Sequence, residues 1–136
     1  MCGIFAVIGS REVSSLLIEG LRKLEYRGYD SAGIATIDNL KNHQIGKLNV
    51  TKSKGKLINL SNLIKKQPPK GHVGIAHTRW ATHGKPNERN AHPHLDSSGQ
   101  IAVVQNGIIE NHRQLSKSLQ LKGIKLTSET DTEIIP

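Results

Sequence analysis

The sequence predicts a fold that mixes helices and strands within one domain. Apolar residues occur in short runs typical of buried strands, as in Ile4–Ile8 and Ile101–Val104. They also recur at helical spacing, as in Leu16, Leu17, Leu21 and Leu24. The 136 residues are about one domain's worth, and no segment is rich enough in Pro, Gly or Ser to divide them.

The first half of the chain contains three predicted strands and two predicted helices. The strands are Cys2–Ile8, which we expect to be buried on both faces, Ala32–Ile37 and, more weakly, Gln44–Val50. Ser10 can cap a helix that runs to about Glu25, where Gly28 stops it. Lys56–Lys66 is predicted as a short amphipathic helix that Pro68 and Pro69 end.

The second half has three predicted strands and one predicted helix. The strands are Val73–His77, Gln100–Gln105 and Ile124–Thr127. A long polar loop, Thr78 to Asp96, follows the first of them. Asn106-Gly107 favours a turn with positive φ. Asn111 can cap a helix that runs to Lys122 and is closed by Gly123.

The last residues have the form of a capping box. Thr130 occupies the cap position and Glu133 can reach back to it, a pattern that begins a helix. A helix that continued only to Pro136 could not bury an apolar face. We therefore expect residues 2–136 to be the N-terminal portion of a longer domain, and we expect this portion alone to be inactive.

Composition indicates an intracellular protein without a membrane segment. No apolar stretch approaches the roughly 20 residues that a membrane helix needs. Nothing cationic precedes the short run Cys2–Ile8, so no signal peptide is predicted. The single cysteine excludes an intramolecular disulfide and is typical of a reducing compartment. We therefore expect a cytoplasmic protein.

Positive charge is concentrated in the middle of the chain. The formal net charge is +8, and ten cations with no carboxylate lie between Asn39 and Asn87. Such a block is compatible with a nucleic-acid or phosphate partner, but a solvated lysine-rich surface is the simpler interpretation. Aromatic residues are only 3% of the chain, so platforms for stacking single-stranded bases are nearly absent. We expect no nucleic-acid partner, and a basic nucleic-acid-binding module remains an alternative function.

Cys2 is a candidate nucleophile because of its position. Removal of Met1, which is general when the second residue is small, would expose a residue carrying both a thiol and an α-amine. A neutral amine can take the proton of the thiol, so that one residue supplies nucleophile and base. On position alone, an ordinary small buried cysteine is the simpler interpretation.

Three further sites have residue types that suit a reaction on an amino-acid amide. The Asn106 side chain and the Gly107 N–H can converge on an oxyanion, although a plain turn is the alternative. Arg79 can clamp an α-carboxylate, and a solvated loop arginine is its alternative. Asp131 can bind an α-ammonium group, and helix capping is its alternative.

Five histidines lie close together in the sequence and raise the question of a metal. They are His72, His77, His83, His92 and His94. There is no second cysteine, the spacing matches no closed tetrahedral pattern, and acidic ligands are scarce nearby. We therefore expect no metal site.

Six short motifs in order carry a specific resemblance. They are Cys2–Phe5, Tyr26–Gly33, His77–Gly84, Asn90–His94, Asn106–Asn111 and Ser128–Glu133. Together they resemble the glutaminase domain of the class II glutamine amidotransferases, which belong to the N-terminal-nucleophile hydrolases. The second and third motifs are most similar to the branch that uses fructose 6-phosphate as ammonia acceptor.

This resemblance implies roles at the matching positions. Cys2 would be the nucleophile with its own α-amine as base, and Asn106 and Gly107 would form the oxyanion hole. Arg79 would hold the glutamine α-carboxylate and Asp131 the α-ammonium group. The remaining implied residues are Thr82 and His83, which would line the pocket, and Arg27 and Trp80, which would support it.

The resemblance also implies an architecture and a reaction. The fold is α+β, an N-terminal-nucleophile hydrolase fold with two stacked antiparallel sheets between helical layers, only partly present in residues 2–136. The reaction is glutamine hydrolysis through a thioester, without a cofactor, and the ammonia converts fructose 6-phosphate to glucosamine 6-phosphate. In the family a sugar-phosphate isomerase domain follows in the same chain, and a homodimer is expected. A catalytically inactive remnant is the other alternative function.

Overall fold

A computed structural model describes residues 2–38, 46–81 and 84–136. Within these ranges the strands and helices, in chain order, are β1 Gly3–Ile8, α1 Ser14–Leu24, β2 Ser31–Ile37, β3 Leu48–Lys54, α2 Leu57–Lys66, β4 Val73–Arg79, β5 His94–Leu95, β6 Ala102–Val103 and α3 His112–Leu121. Short 3-10 turns occupy Glu25–Arg27 and Thr132–Ile134. The described chain therefore mixes helices with strands, as the apolar patterns predict.

The larger sheet has four antiparallel strands in the order β1-β4-β2-β3. Gly3 pairs with Thr78, and Ser31 pairs with Arg79. This register brings the beginning of β1, the end of β4 and the beginning of β2 together at one end of the sheet. Cys2 therefore lies next to the segment that follows Arg79.

One face of this sheet packs against α1 and α2. Side chains alternate between the two faces of a strand, so Ala76 of β4 points into this layer whereas its neighbour His77 points to the other face. The core contains Val13, Leu17, Ile18, Leu21, Ala32, Ile34, Leu57, Leu60, Ile64 and Ala76.

The other face is covered by the segment that leads into β5. A Cβ atom on Gly33 would lie 2.2 Å from the carbonyl oxygen of His92, so the two backbones approach too closely for any side chain. The Lys52 ammonium group donates to the carbonyl of Ala91 at 2.8 Å. Strands β5 and β6 then pair as a second antiparallel sheet. The predicted α+β fold with two antiparallel sheets is confirmed.

Several predicted elements agree closely with the structure. Ala32–Ile37 lies within β2, Lys56–Lys66 corresponds to α2, and Val73–His77 lies within the longer β4. Helix α3 also occupies its predicted place, and Gly123 follows it with a φ of 82°. Asn111, however, makes no side-chain capping bond.

Three predictions in the first half were wrong in detail. Strand β1 is not buried on both faces, because it is an edge strand covered by helices on one side only; Ile8 is 81% exposed. Ser10 does not cap α1, since the helix begins only after Val13. The Val13 N–H donates to the carbonyl of Gly71, so the residues before it are not helical. The weak strand Gln44–Val50 begins at Leu48 among the described residues and runs to Lys54; positions 44 and 45 lie outside them.

The second half departs further from the prediction. Only Ala102–Val103 of the expected strand Gln100–Gln105 pairs, and both residues are half-buried. Ile124–Thr127 is not a strand, because the Thr127 N–H donates to the carboxylate of Glu133 at 2.7 Å. The polar loop is also shorter than Thr78 to Asp96, since β4 extends to Arg79.

The predicted capping box does not form. The Thr130 N–H donates to the hydroxyl of Ser128 at 3.3 Å, and the Glu133 carboxylate accepts from Thr127 and Ser128 instead of from Thr130. Glu133 therefore closes a loop rather than beginning a helix.

Across residues 2–38, 46–81 and 84–136, every helix is too short or too polar to cross a bilayer.

Candidate active site

One cavity of about 460 Å³ gathers most of the residues that the motifs single out. Its lining residues are Cys2, Arg27, Arg79, Trp80, His92, Gln105, Asn106, Gly107, Ile108, Thr130, Asp131 and Thr132. Thr82 and His83 lie outside the described residues. The cavity is therefore built from the beginning of β1, the end of β4, the segment after β6 and the loop before the last 3-10 turn.

The Cys2 thiol is half-buried at the edge of this cavity. The Trp80 N–H donates to Sγ at 3.2 Å, and Sγ lies 3.6 Å from the Trp80 carbonyl oxygen. Cys2 is thus not an ordinary buried core cysteine.

Asn106 lies directly beside Cys2. Its Nδ2 donates to the carbonyl oxygen of Cys2 at 3.1 Å, and its Oδ1 is 2.9 Å from Nε2 of His77. Gly107 follows with a φ of 155°, so the predicted positive φ is confirmed, but the residue lies in a bend and not in the predicted turn. An amide and a glycine N–H beside a thiol can stabilise an oxyanion that forms when sulfur attacks a carbonyl group.

Arg79 is buried at the end of β4, with only 4% of its surface exposed. Its guanidinium group donates to the carbonyls of Gly84 and Lys85 and lies 3.9 Å from the carboxylate of Asp30. Asp30 also accepts from the Ala81 N–H. The alternative of a solvated loop arginine is therefore wrong, and the cavity contains a positively charged wall.

Asp131 forms a negatively charged wall of the same cavity. It is 7% exposed, and its Oδ2 accepts from the Ile109 N–H at 2.7 Å. It stands at the cap position of the last 3-10 turn but makes no side-chain capping bond to that turn. The alternative of a capping role is wrong. A ligand that carries both an anionic and a cationic group could contact Arg79 and Asp131 together.

Arg27 and Trp80 lie at the rim of the cavity. Arg27 donates from Nε to the hydroxyl of Tyr26 at 3.1 Å. The Trp80 ring meets the Tyr29 ring edge-to-face with centroids 5.3 Å apart. Gly28 lies between Tyr26 and Tyr29 in the sequence and packs against the backbone of Arg79. A Cβ atom on Gly28 would be 2.7 Å from the carbonyl carbon of Arg79.

Sequence reasoning missed several polar residues that line the cavity. Gln105 accepts from the Thr132 hydroxyl at 3.0 Å and thereby ties the segment before Asn106 to the segment around Asp131. A glutamine at the end of an apolar strand was the available signal. His77 was also missed as a contact of Asn106, although its position two residues before Arg79 predicts the same strand face.

Three buried histidines extend from Asn106 into the interior. The His77 and His92 rings stack with centroids 4.1 Å apart, and His94 meets His92 edge-to-face at 4.6 Å. His94 Nε2 lies 2.8 Å from the Thr130 hydroxyl. Burial lowers the pKa of His77 and of His94 to about 4 and that of His92 to about 2. All three imidazoles are therefore neutral at pH 7.

No metal-ligating group of three or more side chains occurs among the described residues. Nor do the cations between positions 46 and 81 and between 84 and 87, the described part of the cation-rich stretch, form one solvated surface. Arg79 is buried in the cavity wall, and the ammonium group of Lys52 bonds the backbone of Ala91. The cation-rich stretch thus contributes to the interior as well as to the surface.

Comparison with known families agrees with this geometry. The sequence profile of the glutamine amidotransferase domain matches residues 64–136, which include Arg79, Asn106 and Asp131. The chain is also similar to a solved glutamine phosphoribosylpyrophosphate amidotransferase from B. subtilis complexed with ADP and GMP. The two share 27% identity with a TM-score of 0.78, covering 98% of this chain and 28% of the other.

Similarity is higher to glutamine–fructose-6-phosphate aminotransferases (isomerizing). The relative from Clostridium acetobutylicum is 55% identical and that from Thermosynechococcus vestitus is 56% identical, in each case over all 136 residues of this chain. The chain spans about a fifth of the length of these curated relatives, 21% in both cases. Together with the profile match over more than half of the chain, these similarities establish that the chain belongs to the glutamine amidotransferase domain family.

Proposed function

We propose that the complete protein hydrolyses the side-chain amide of glutamine, with Cys2 of this chain as nucleophile. The single observation that carries the proposal is the cavity in which the Cys2 thiol, the Asn106 amide, Arg79 and Asp131 meet. Membership of the glutamine amidotransferase domain family supports the choice of substrate.

The proposed chemistry begins with removal of Met1, which makes the α-amine of Cys2 available as base. Sulfur attacks the amide carbon of glutamine while the amine takes the thiol proton. Collapse of the tetrahedral intermediate breaks the carbon–nitrogen bond, and the departing nitrogen takes the proton back from the α-ammonium group of Cys2 and leaves as ammonia. Water then attacks the γ-glutamyl thioester, which releases glutamate and restores the thiol.

Asn106 and Gly107 are the proposed oxyanion hole. The Asn106 amide carries two N–H bonds, of which one is directed to the Cys2 carbonyl at 3.1 Å. The other can reach the oxygen of a substrate carbonyl attacked by Sγ, together with the Gly107 N–H. Because the two donors are held beside the nucleophile before the substrate arrives, little reorganisation is needed when negative charge develops.

Arg79 and Asp131 are the proposed handles for the amino-acid end of glutamine. The α-carboxylate would contact the Arg79 guanidinium group, and the α-ammonium group would contact the carboxylate of Asp131. Both walls are buried, which strengthens each ionic contact. Thr82 and His83 would line the same pocket, and Arg27 would support it without reacting.

Substitution of Cys2 tests the nucleophile. In the complete protein, Cys2→Ser is expected to lower glutamine hydrolysis by orders of magnitude, because a hydroxyl is far less ionised than a thiol at neutral pH. The rate would be measured as glutamate released. Cys2 is the single cysteine of these 136 residues, so a glutamine-derived electrophile should label this part of the native protein once, and peptide mapping should find no label in it in Cys2→Ser.

The N-terminal mass provides a second readout. We expect intact-mass measurement to show that Met1 is absent, since a retained Met1 would leave no α-amine on Cys2. Near-normal hydrolysis by Cys2→Ser would refute the proposed chemistry. A native protein that binds glutamine but neither reacts with the electrophile nor releases glutamate would instead be the inactive remnant.

The proposed acceptor of the ammonia is fructose 6-phosphate, giving glucosamine 6-phosphate. This choice is supported by the names of the curated relatives and by the identity of 55% to them, against 27% to the amidotransferase that uses phosphoribosylpyrophosphate. The complete protein should form an amino sugar from glutamine and fructose 6-phosphate. Consumption of glutamine with phosphoribosylpyrophosphate but not with fructose 6-phosphate would contradict the assignment.

The remaining expectations concern the complete protein. We propose that residues 2–136 are the N-terminal portion of its glutaminase domain, that a sugar-phosphate isomerase domain is joined to it in the same chain, and that this chain forms a homodimer in the cytoplasm. The length of the relatives supports a longer chain. Light scattering after size-exclusion chromatography would measure the subunit number, and a monomer would contradict the dimer.

A further inference from the structure

The three buried histidines, His77, His92 and His94, are not used by the proposed reaction. His77 is 0% exposed, His92 5% and His94 3%, so all three are buried, and His92 also lines the cavity. His77 alone among them contacts a proposed oxyanion donor, through the 2.9 Å bond between its Nε2 and the Oδ1 of Asn106.

The hydrogen-bond partners determine which way the Asn106 amide points. The Cys2 carbonyl oxygen can only accept a hydrogen bond, so the amide presents Nδ2 to it. The amide oxygen then faces His77 and can only accept, so Nε2 of His77 must carry the proton. Burial lowers the pKa of His77 to about 4, which keeps the ring neutral at pH 7, so that only one of its two nitrogens carries a proton.

We propose that His77 is a positioning residue, which holds the Asn106 amide with its N–H groups towards Cys2 and touches neither substrate nor nucleophile. The inference rests on the proposed function. If the His77 donor is absent, the amide oxygen of Asn106 loses its buried partner. Rotation of the amide by 180° then becomes accessible and would turn an oxygen, which repels an oxyanion, towards the reacting carbonyl.

The surroundings of His77 hold its ring in the orientation that this bond needs. Stacking on His92 at an interplanar angle of 12° limits rotation of the ring. The backbone of His92 is in close contact with Gly33, and this contact leaves no room for a side chain at position 33. The orientation of Asn106 is thus linked, through two imidazole rings, to the central strands of the larger sheet.

Kinetics of the complete protein test the proposal. His77→Leu removes the donor, and we expect kcat for glutamine hydrolysis to fall by about 10–100-fold, the range for partners that orient a functional group indirectly. KM should change by less than about threefold, because ground-state binding is not altered. His77→Gln, which can donate from its side-chain amide, should recover most of the loss. His72→Leu is the matched control outside the cavity and should leave kcat unchanged.

A double-mutant cycle distinguishes positioning from general structural damage. Once Asn106 is replaced by Ala, the amide that His77 holds is absent, so His77→Leu should lower kcat by less than about threefold further. Effects that multiply fully in the double variant, or a His77→Leu variant that raises KM alone, would overturn the proposal.

A nitrogen-15 NMR measurement on the native protein tests the same bond without activity. The His77 side chain should show a protonated Nε2 and an unprotonated Nδ1, and the Nε2 resonance should shift in Asn106→Ala. Protonation at Nδ1 alone would overturn the proposal even if glutamine is hydrolysed as proposed. Conversely, a protein with the expected tautomer but no hydrolysis would refute the proposed function and leave the hydrogen bond established.

Discussion

Lowering the pH from 7 to 5 should destabilise the protein through its buried histidines. Burial holds the pKa of His77 and of His94 at about 4 and that of His92 at about 2, below the ordinary value of 6.5. In the unfolded chain these side chains take up protons as the pH falls through 6.5, whereas in the fold they stay neutral until about pH 4. The stabilising contribution is therefore complete above pH 6.5 and is lost between pH 6.5 and the folded-state values.

The magnitude follows from the difference in bound protons. Each group contributes about 1.4 kcal/mol for each pH unit in which only the unfolded chain is protonated. Between pH 6.5 and 5 this is about 2 kcal/mol for each histidine, and about 6 kcal/mol in the limit where all three stay neutral in the fold. Since whole domains have free energies of unfolding of about 5–15 kcal/mol, the effect should be large. Carboxylates add little in this window, because their ordinary pKa values lie near 4.

Urea unfolding at a series of pH values between 5 and 7.5 would measure this dependence. The expected result is that the free energy of unfolding changes with pH, near pH 5.5, with a slope that corresponds to the uptake of almost three protons on unfolding. His92→Gln should reduce this slope by about one proton. The substitution can also change the stability at pH 7.5, but that change does not affect the slope, so the two effects are measured separately. A free energy of unfolding that is constant between pH 7 and 5 would show that the histidines are not neutral and buried in the folded protein.

Three further substitutions have expected outcomes. Asn106→Ala should lower kcat for glutamine hydrolysis by about 10²–10³-fold, and a change confined to KM in steady-state assays would exclude it as an oxyanion donor. Arg79→Ala should mainly raise KM, because the carboxylate is held equally in ground and transition states; a selective loss of kcat would mean that its role and that of Asn106 have been exchanged. Gly20→Ala should lower the free energy of unfolding by about 1–3 kcal/mol, since the new Cβ would lie 2.3 Å from the Phe5 ring, and this clash outweighs the gain of about 1 kcal/mol in helix propensity. Gly9→Ala is its control, with a nearest contact of 3.5 Å, and equal urea midpoints for the two variants would refute the clash.

Local patterns predicted the elements whose stability depends on local burial. Helix α2 and strand β2 agree with their predicted limits to within one residue, because an apolar stripe or run defines each of them. The start of α1 was misplaced because the bond from Val13 to Gly71 joins residues far apart in sequence. Ile124–Thr127 looked like a strand on apolar content, but the Glu133 carboxylate binds its backbone.

The candidate site was predictable in its members but not in its connections. The motifs named Cys2, Arg79, Asn106 and Asp131, and one cavity contains all of them. The bond between His77 and Asn106, and the stack that extends from it, depend on which strands pair and in what register. No spacing in the sequence encodes that pairing. From the sequence, the spacing of the histidines could therefore be compared only with the patterns of metal sites.

The two faces of strand β4 have different roles, and this limits which mutations the strand can accept. Ala76 packs with the helices, whereas His77 and Arg79 lie on the opposite face, where Arg79 lines the cavity and His77 contacts Asn106. Inserting or deleting one codon within the strand would exchange these faces for every residue beyond it, placing an imidazole in the core and a methyl group beside Asn106. Substitutions in β4 can be selected one side chain at a time, but a change in its length alters core and site together. Members of the family should therefore differ in length before Val73 or after Arg79, and hardly ever between them.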